Sequence, residues 1–538
     1  MGRVSVVVVV YNDAERLPTA VQSALDQTLP DVDVVIVDDH SPDRSFEVAQ
    51  ELSAAHPGRV SAYRLAENSG SGGGPRNRGM AEATGDYVMF LDSDDVLPPT
   101  AAEVLLRAAQ EHGAEVATGK AVRRELPAGR TTVWAPGLYD TDAGAVLPGS
   151  VLHGIGAHPE MLMDTLVVNK LYRRDFLKRT GLAFPSGMLY EDFVFTGRLY
   201  AAQPVLAVIA DTVYVWHVRR AAASLSVSLH RAVIENWRDR VAAHGLVVED
   251  LRSAGLGELA EEAQAKFVDY DLPMYLRELP QRSAEYRAAW WRITREHLAG
   301  FAASAFPRAK APYRWLARSV MALPEPPAPA LLGRLVELAA APPRLVPPYD
   351  GDRERPLLGD GDGATAVPLD GLAALPAEEL PVTVEGTVTA GATVRVALLL
   401  HELYGRLAEL DPRTVRVELT ERSGLRPPLV AHAPLSAVAG GWAAEVAFPA
   451  GGLGAARELT SWSMRAEIGH ADGSASTTEV RAAAAQRRRR DTVLLPPGRV
   501  LLVRTHVTER RALMLRCAGG LAGARRAAGS VRRRLVGR

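Results

Sequence analysis

The chain has 538 residues, room for about three domains at roughly 100–200 residues each. It is 47% hydrophobic and 23% charged, which excludes a mostly disordered, collagen-like or fibrous chain. Its one cysteine, Cys517, excludes an intramolecular disulfide and a cysteine metal cage and points to a reducing compartment, while a net charge of −1 names no partner.

Taken in chain order, Val4–Val10 is a continuous β-branched run, predicted as a strand covered on both faces. The polar Tyr11-Asn12-Asp13 that follows at once, with no small-residue cleavage site, argues against a signal peptide. Helical spacing marks 15–27, with Leu17, Ala20, Val21, Ala24 and Leu25 on one face. A second buried strand spans 32–37 and ends in Asp38-Asp39, a helix covers 45–55, and a third strand covers 60–65. The Gly-rich stretch 68–75 precedes a short helix; a fourth strand, 87–91, ends in Asp92-Ser93-Asp94-Asp95, and 100–112 is helical again. This alternation predicts an α/β domain with a mainly parallel, doubly wound sheet. Such sheets bind ligands at the carboxyl ends of their strands, where both acidic clusters sit.

Residues from about 120 to 225 read as mixed, with a strand at 212–218, and 228–322 read as helical and rich in Trp and Tyr. Prolines cluster from Pro324 to Pro348 and Gly and Asp fill 350–363, the composition of a linker. Beyond about 365, short alternating runs between Gly/Pro turns predict an all-β sandwich. The runs at 500–507 and 512–515 either complete that domain or begin a partial second one. The expected organisation is therefore a first domain over 1–225, a helical connector over 226–322, a linker over 323–364, a β domain over 365–517 and a basic tail over 518–538. From Ala485 to the C-terminus there are 15 Arg, no Lys and two acids, a net +13 against −14 for the rest. Such a terminus suits an anionic polymer or lipid surface, and equally a solvated tail. With only five lysines in the chain, arginine bias accounts for part of it. No apolar run approaches the roughly 18–20 residues that span a bilayer.

Four clusters carry chemistry. In an extended chain, residues two apart point the same way, so Asp92 and Asp94 present hard oxygen ligands for a divalent cation that bridges nucleotide phosphates. A surface acidic turn is the plainer reading of the triplet, and its place after a buried strand favours the ligand role. In Val37-Asp38-Asp39-His40-Ser41 a carboxylate, Asp38 or Asp39, is placed to accept a uracil N–H, while Ser41 or Asp43 also reads as a helix cap. Asn68-Ser69-Gly70-Ser71-Gly72-Gly73-Gly74-Pro75-Arg76-Asn77 offers backbone N–H groups to phosphate with the charge of Arg76 beside them, or is a plain surface loop. It lacks the Gly-Lys-Ser/Thr of a Walker loop. Glu191-Asp192 opens an apolar helix, where acids are favoured by the dipole and where repulsion keeps one carboxylate basic.

In this order the clusters resemble the family 2 glycosyltransferases of the GT-A fold. The resemblance rests on Tyr11-Asn12, Asp38-Asp39-His40-Ser41, Arg76-Asn77, Gly85-Asp86 ahead of Asp92-Ser93-Asp94-Asp95, and Glu191-Asp192. Asn68-Ser69-Gly70, Gly74-Pro75-Arg76-Asn77, Asn169-Lys170-Leu171-Tyr172-Arg173 and Phe184-Pro185 add a closer likeness, to the wall-teichoic-acid poly(ribitol-phosphate) N-acetylglucosaminyltransferases. Those enzymes combine a catalytic domain, a helical connector and a C-terminal immunoglobulin-like region that trimerises them. The likeness implies that Tyr11 and Asp39 hold uracil and that Asn68, Arg76 and Asp92 contact the nucleotide-sugar. It further implies that Asp94, with His217, binds Mn²⁺ or Mg²⁺, that Arg219 assists, and that Asp192 is the general base. Val9-Val10 departs from the Pro-Thr common before the Tyr/Asn.

The function so implied is an inverting, metal-dependent transfer of one sugar, GlcNAc from UDP-GlcNAc, onto a hydroxyl of an anionic cell-wall polymer. The Gln-x-x-Arg-Trp signature of processive synthases is absent. A capsular, lipid-linked or natural-product acceptor is the alternative within the family, and a silent glycan-binding scaffold is the alternative outside it. A homotrimer, a cytoplasmic location with peripheral contact at the inner membrane face, and no nucleic-acid partner complete the expectation.

Overall fold

A computed structural model of the chain describes residues 2–127, 129–219, 231–347, 349, 351–359, 366–422, 426–454, 459–484, 490–495, 499–508 and 511–519. The chain forms two compact units: Met1–Phe267 with Glu296–Arg308, and Val268–Arg295 with Ala309–Arg538.

The first unit follows the predicted alternation: β1 (Val4–Val10), α1 (Leu17–Leu25), β2 (Val32–Asp38), α2 (Ser45–Ala55), β3 (Val60–Arg64), α3 (Gly73–Glu82), β4 (Tyr87–Asp92) and α4 (Ala101–Glu111). It continues through β5 (Val116–Leu126), β6 (Arg130–Val133), α5 (Pro136–Tyr139), β7 (Val151–His153), β8 (Lys170–Arg173), α6 (Arg174–Thr180), α7 (Glu191–Ala201) and β9 (Val205–Arg219). The helices α8 (Ile234–Ser253) and α9 (Gly257–Lys266) follow. One nine-stranded sheet has the order β3-β2-β1-β4-β8-β5-β9-β7, with β6 on β5. Strands β1 to β4 pair in parallel, as do β5 and β9, whereas β8 runs antiparallel to both its neighbours. All seven residues of β1 and of β2 are buried, which is why these strands are valine runs rather than alternating patterns. The expected α/β architecture with a parallel-rich sheet is present.

Helix α3 lies against β1 at a glycine. A Cβ on Gly79 would fall 2.1 Å from Val7 Cγ1. All seven residues of β1 are buried, so the strand has little room to yield. Gly79→Ala is therefore expected to destabilise the first unit by about 1–3 kcal/mol through overpacking, despite alanine's better helix propensity. A thermal unfolding comparison checks this, and an unchanged or raised midpoint would contradict it.

The second unit contains α10 (Leu272–Leu276) and most of α11 (Ala284–Ala299), a helix whose last turn belongs to the first unit, as does α12 (Ala305–Arg308). Helices α13 (Ala311–Ala322) and α14 (Pro329–Leu338) follow. Helix α14 lies inside the stretch expected to be a linker. Pro329 stands in its first turn, where proline is tolerated, and Leu331, Leu332, Leu335 and Leu338 form a buried helical stripe. Proline density concealed a helix that its own prolines delimit.

After the short pair β10 (Leu357–Leu358) and β11 (Val367–Pro368), the chain is β-rich, as predicted. Its strands are β12 (Val384–Ala390), β13 (Thr393–His401), β14 (Pro412–Glu421), β15 (Leu429–Pro434), β16 (Ser436–Val438), β17 (Gly441–Pro449) and β18 (Leu459–His470). They continue with β19 (Ala475–Glu479), β20 (Arg481–Ala482), β21 (Arg490–Leu495), β22 (Arg499–Val507) and β23 (Leu513–Gly519). One sheet runs β16-β17-β13-β12-β20 and the other β15-β14-β18-β23-β22-β21, with β19 on β18. Strands β22 and β23 thus complete the second of these sheets rather than starting another domain. Ala518, expected to open the basic tail, is buried in β23. The rest of that tail, 520–538, lies outside the described residues. Among the described residues no helix is long and apolar enough to cross a membrane.

Candidate active site

Strand register builds the site. Val10 pairs with Asp38 and Val9 with Asp92, so the acidic ends of β2 and β4 flank the end of β1. The loops beyond are tied together: Asn12 N–H donates to Ser41 Oγ (2.9 Å), Asp13 N–H to Ser45 Oγ (2.8 Å) and Ala14 N–H to Asp43 Oδ2 (3.2 Å). Asn12, His40 and Tyr190, one residue on each of three loops around the site, hold left-handed backbone that a non-glycine residue rarely adopts. Tyr11 is 53% exposed at the end of β1, free to offer a ring face to a base.

The two aspartates ending β2 part company. Asp39 Oδ1 accepts Ser69 N–H (2.8 Å) and its Oδ2 accepts Asn68 Nδ2 (3.1 Å), while burial pushes its carboxyl upward. Asn68, expected at the nucleotide, therefore holds Asp39. Asp38 is fully buried, pairs with Arg64 at 3.2 Å and caps Ser41 N–H at 3.1 Å. Asp38, expected with Asp39 at the nucleotide-sugar, is thus held by Arg64 and Ser41, while Asp39 is held by Asn68 and Ser69.

Arg76 is the centre of the arrangement. Its Nη1 donates to Asp192 Oδ1 (2.8 Å) and Glu191 Oε1 (3.0 Å), and its Nη2 to Asp92 Oδ1 (2.8 Å). The guanidinium lies 5.5 Å from the centre of the Phe184 ring, and the residue is 4% exposed. A Cβ on Gly72 would fall 2.4 Å from Arg76 Nη1, and one on Gly73 would fall 2.8 Å from the Pro185 carbonyl oxygen. Those two glycines are thus required by close packing around Arg76. Asn77 clamps the same segment, donating to Phe184 O and accepting Phe184 N–H, each at 2.9 Å. Arg76 itself is turned to three carboxylates, not to open crevice.

Asp192 sits in the first turn of α7, where the left-handed Tyr190 redirects the chain. Tyr190 OH donates to Asn236 Oδ1 (2.9 Å), and Arg240 stacks on its ring at 4.7 Å, so α8 braces the turn. Burial raises the Asp192 carboxyl to about 7; Arg76 opposes the rise and Glu191 and Asp92 add to it. A carboxylate there is basic enough to take a proton near neutral pH.

Asp94 lies next to Asp92 and is 38% exposed at its side chain. Arg219 Nη1 stands 3.5 Å and Arg16 Nη1 3.8 Å from Asp94 Oδ2. Burial, then Asp92, raises the Asp94 carboxyl to about 6. His217 Nδ1 is 3.0 Å from the Asp94 carbonyl oxygen, which fixes Nδ1 as the donor and leaves Nε2 as a lone-pair atom. Burial lowers the His217 pKa, so the ring is neutral, the form that ligates metals. Among the described residues no group of three His, Cys, Asp or Glu forms a ready metal cage. The donor chemistry of Asp94 and His217 fits a cation whose remaining positions are filled by phosphate oxygens and water.

Sequence reasoning gave no role to Asp13, Arg16, Asp95 or Tyr214. Asp95 is buried, accepting Tyr214 OH (2.6 Å) and His217 N–H (2.7 Å), and so docks β9 onto the acidic turn. Asp13 accepts Ser93 Oγ (2.6 Å) and pairs with Arg16, holding that arginine above Asp94. The available signal for Arg16 was its Asp13 partner three residues before it.

Known proteins resemble this chain in sequence and in fold. Residues 5–157 match the model of glycosyl transferase family 2. A poly(ribitol-phosphate) beta-glucosyltransferase of Bacillus spizizenii is 28% identical over 235 residues, 42% of this chain and 34% of that protein. The poly(ribitol-phosphate) beta-N-acetylglucosaminyltransferase TarP of Staphylococcus aureus is 35% identical over 122 residues, 22% of this chain and 37% of that protein. The matched stretches thus span about a third of these relatives' length. The crystal structure of S. aureus TarS superposes with TM-score 0.53 at 15% identity, covering 96% of this chain and 85% of that one. Its 1–349 fragment in complex with UDP-GlcNAc covers 68% of this chain and 99% of that one, also at TM-score 0.53, with 17% identity. At such identity these superpositions speak to the fold. Residues 5–157, which include the ends of β1, β2 and β4, carry the likeness to glycosyl transferase family 2.

Proposed function

We propose that the chain transfers a single sugar from a UDP-sugar to a hydroxyl of an anionic cell-wall polymer, with inversion at the anomeric carbon. The observation that carries this reading is the Arg76 bridge: one guanidinium, at 2.8 Å from each, joins Asp92 at a strand end to Asp192 at a helix start. The relatives named for poly(ribitol-phosphate) support the acceptor class, and the UDP-GlcNAc complex of TarS supports GlcNAc as the sugar. The glucosyltransferase relative makes UDP-glucose the second donor to test.

In this mechanism Tyr11 and Asp39 receive the uracil, and Asp92 faces the donor sugar. The acceptor hydroxyl enters beside Asp192, whose Oδ2 takes its proton as the oxygen attacks the anomeric carbon and the bond to UDP breaks on the opposite face. Arg76 holds Oδ1, which aims the other oxygen of the base. Arg219 and Arg16 supply fixed positive charge beside the leaving diphosphate. Asp94 and the His217 Nε2 atom would hold Mn²⁺ or Mg²⁺, which neutralises diphosphate charge when bound.

A panel of UDP-, GDP- and TDP-sugars, read by released nucleotide with and without purified polyol-phosphate polymer, tests the reading. UDP-GlcNAc or UDP-glucose is expected to give polymer-dependent release that excess EDTA abolishes and Mn²⁺ or Mg²⁺ restores. Full activity in EDTA would remove the cation, and release indifferent to polymer would remove the acceptor.

A further inference from the structure

A cavity in the first unit, of about 360 Å³, lies between one face of α8 and the segment around His297 and Phe301. Its volume is within the range of small-molecule sites. Part of its polar lining has no partner among the described residues. Gln264 is 1% exposed; its Oε1 accepts Ala302 N–H (3.1 Å), while its amide N–H₂ has no partner among the described residues. Arg252 and Glu249 line the same cavity and form no ion pair with any described residue. The Gln264 amide nitrogen is left to the cavity, and Glu249 and Arg252 are exposed at its mouth.

The helix itself carries a second sign. Gly245 stands in the interior of the 20-residue α8, a position where glycine is among the poorest residues. Close packing explains two other helical glycines of this unit, Gly79 against Val7 and Gly197 against Val247. At Gly245 a Cβ would meet nothing within 4 Å and would project into the cavity. The floor is rigid: His244 Nε2 donates to Ala263 O (3.1 Å), which leaves its Nδ1 to accept from His297 Nε2 (2.8 Å).

We propose that this cavity is a second binding site, for a small polyhydroxylated anion of the sugar-phosphate or polyol-phosphate class. Arg252 meets the phosphate, Glu249 and the Gln264 amide meet hydroxyl groups, Phe301 covers the apolar face of the carbon skeleton, and Gly245 leaves the space. The assignment does not depend on the transferase reading.

Isothermal titration of the full chain with glucose 6-phosphate and glycerol 3-phosphate, in saturating UDP, tests it. Saturable binding is expected, with neutral sorbitol and inorganic phosphate each at least about 10-fold weaker because each lacks one half of the contacts. Arg252→Gln should weaken binding by about 10–100-fold through loss of a charge-assisted contact. Gly245→Leu should abolish binding by filling the cavity, and, being a better helix former, should leave the fold and UDP affinity intact. No saturable binding by either sugar phosphate, equal binding of inorganic phosphate, or binding indifferent to Gly245→Leu would each overturn the proposal.

Discussion

Turnover of the Asp192→Asn variant is expected to fall by about 10²–10⁴-fold, the usual contribution of a positioned general base. Asparagine keeps the oxygen that Arg76 Nη1 meets at 2.8 Å, so the crevice should keep its shape and UDP should bind as before. The pH profile supplies an independent readout. The base works only when ionised, and the carboxyl is raised to about 7, chiefly by burial. Activity of the parent chain should therefore climb with pH through the region of 7 and be lost in acid. In the variant this ascending limb should disappear from the residual rate, because the group that titrates is gone. Near-parental turnover, or the same ascending limb in the variant, would take the role from Asp192. A parallel collapse of UDP affinity would instead mark it as a donor contact.

The fold was legible where one physical cause dominates a stretch of sequence. A seven-residue run with six valines at β1, buried on both faces, has few readings, and the acidic ends of β2 and β4 follow from where such runs stop. The site was legible as a set of residues but not as a set of contacts. Arg76 lies 16 positions from Asp92 and 116 from Asp192, and no periodicity relates them; only the folded loop 184–192 brings them together. Its neighbours in sequence, a string of glycines, suggested phosphate, whereas two of those glycines are small because Arg76 and the 184–191 segment pass over them. Asp38 and Asp39 were inseparable in sequence and divide by strand alternation, one facing Arg64 and the other Ser69. Asp95 was hidden for a related reason. An Asp-Ser-Asp followed by a third acid gives no hint that the third is buried beneath a tyrosine and a backbone N–H supplied 119 and 122 residues later.

Arg76→Met separates the two roles this residue has been given. If Arg76 is the bridge among Asp92, Glu191 and Asp192, its removal leaves three converging carboxylates without the guanidinium that meets all of them. Breaking a buried ion pair on one side costs about 3–5 kcal/mol, so a clear drop in thermal midpoint is expected. The residual activity should also move. Arg76 is the strongest influence holding the Asp192 carboxyl down against burial, so without it the carboxyl should hold its proton to higher pH. The ascending limb of the pH profile should then shift to the alkaline side of 7. Arg76→Lys restores one charge but cannot reach both Asp92 and Asp192 in the forked geometry of a guanidinium, so it should recover part of the stability and little of the rate. A variant that keeps its midpoint and its pH profile while the donor KM rises would instead make Arg76 a simple phosphate contact. The distances favour the bridge: all three carboxylates are met at 2.8–3.0 Å by the two terminal nitrogens, and the side chain is buried beneath them.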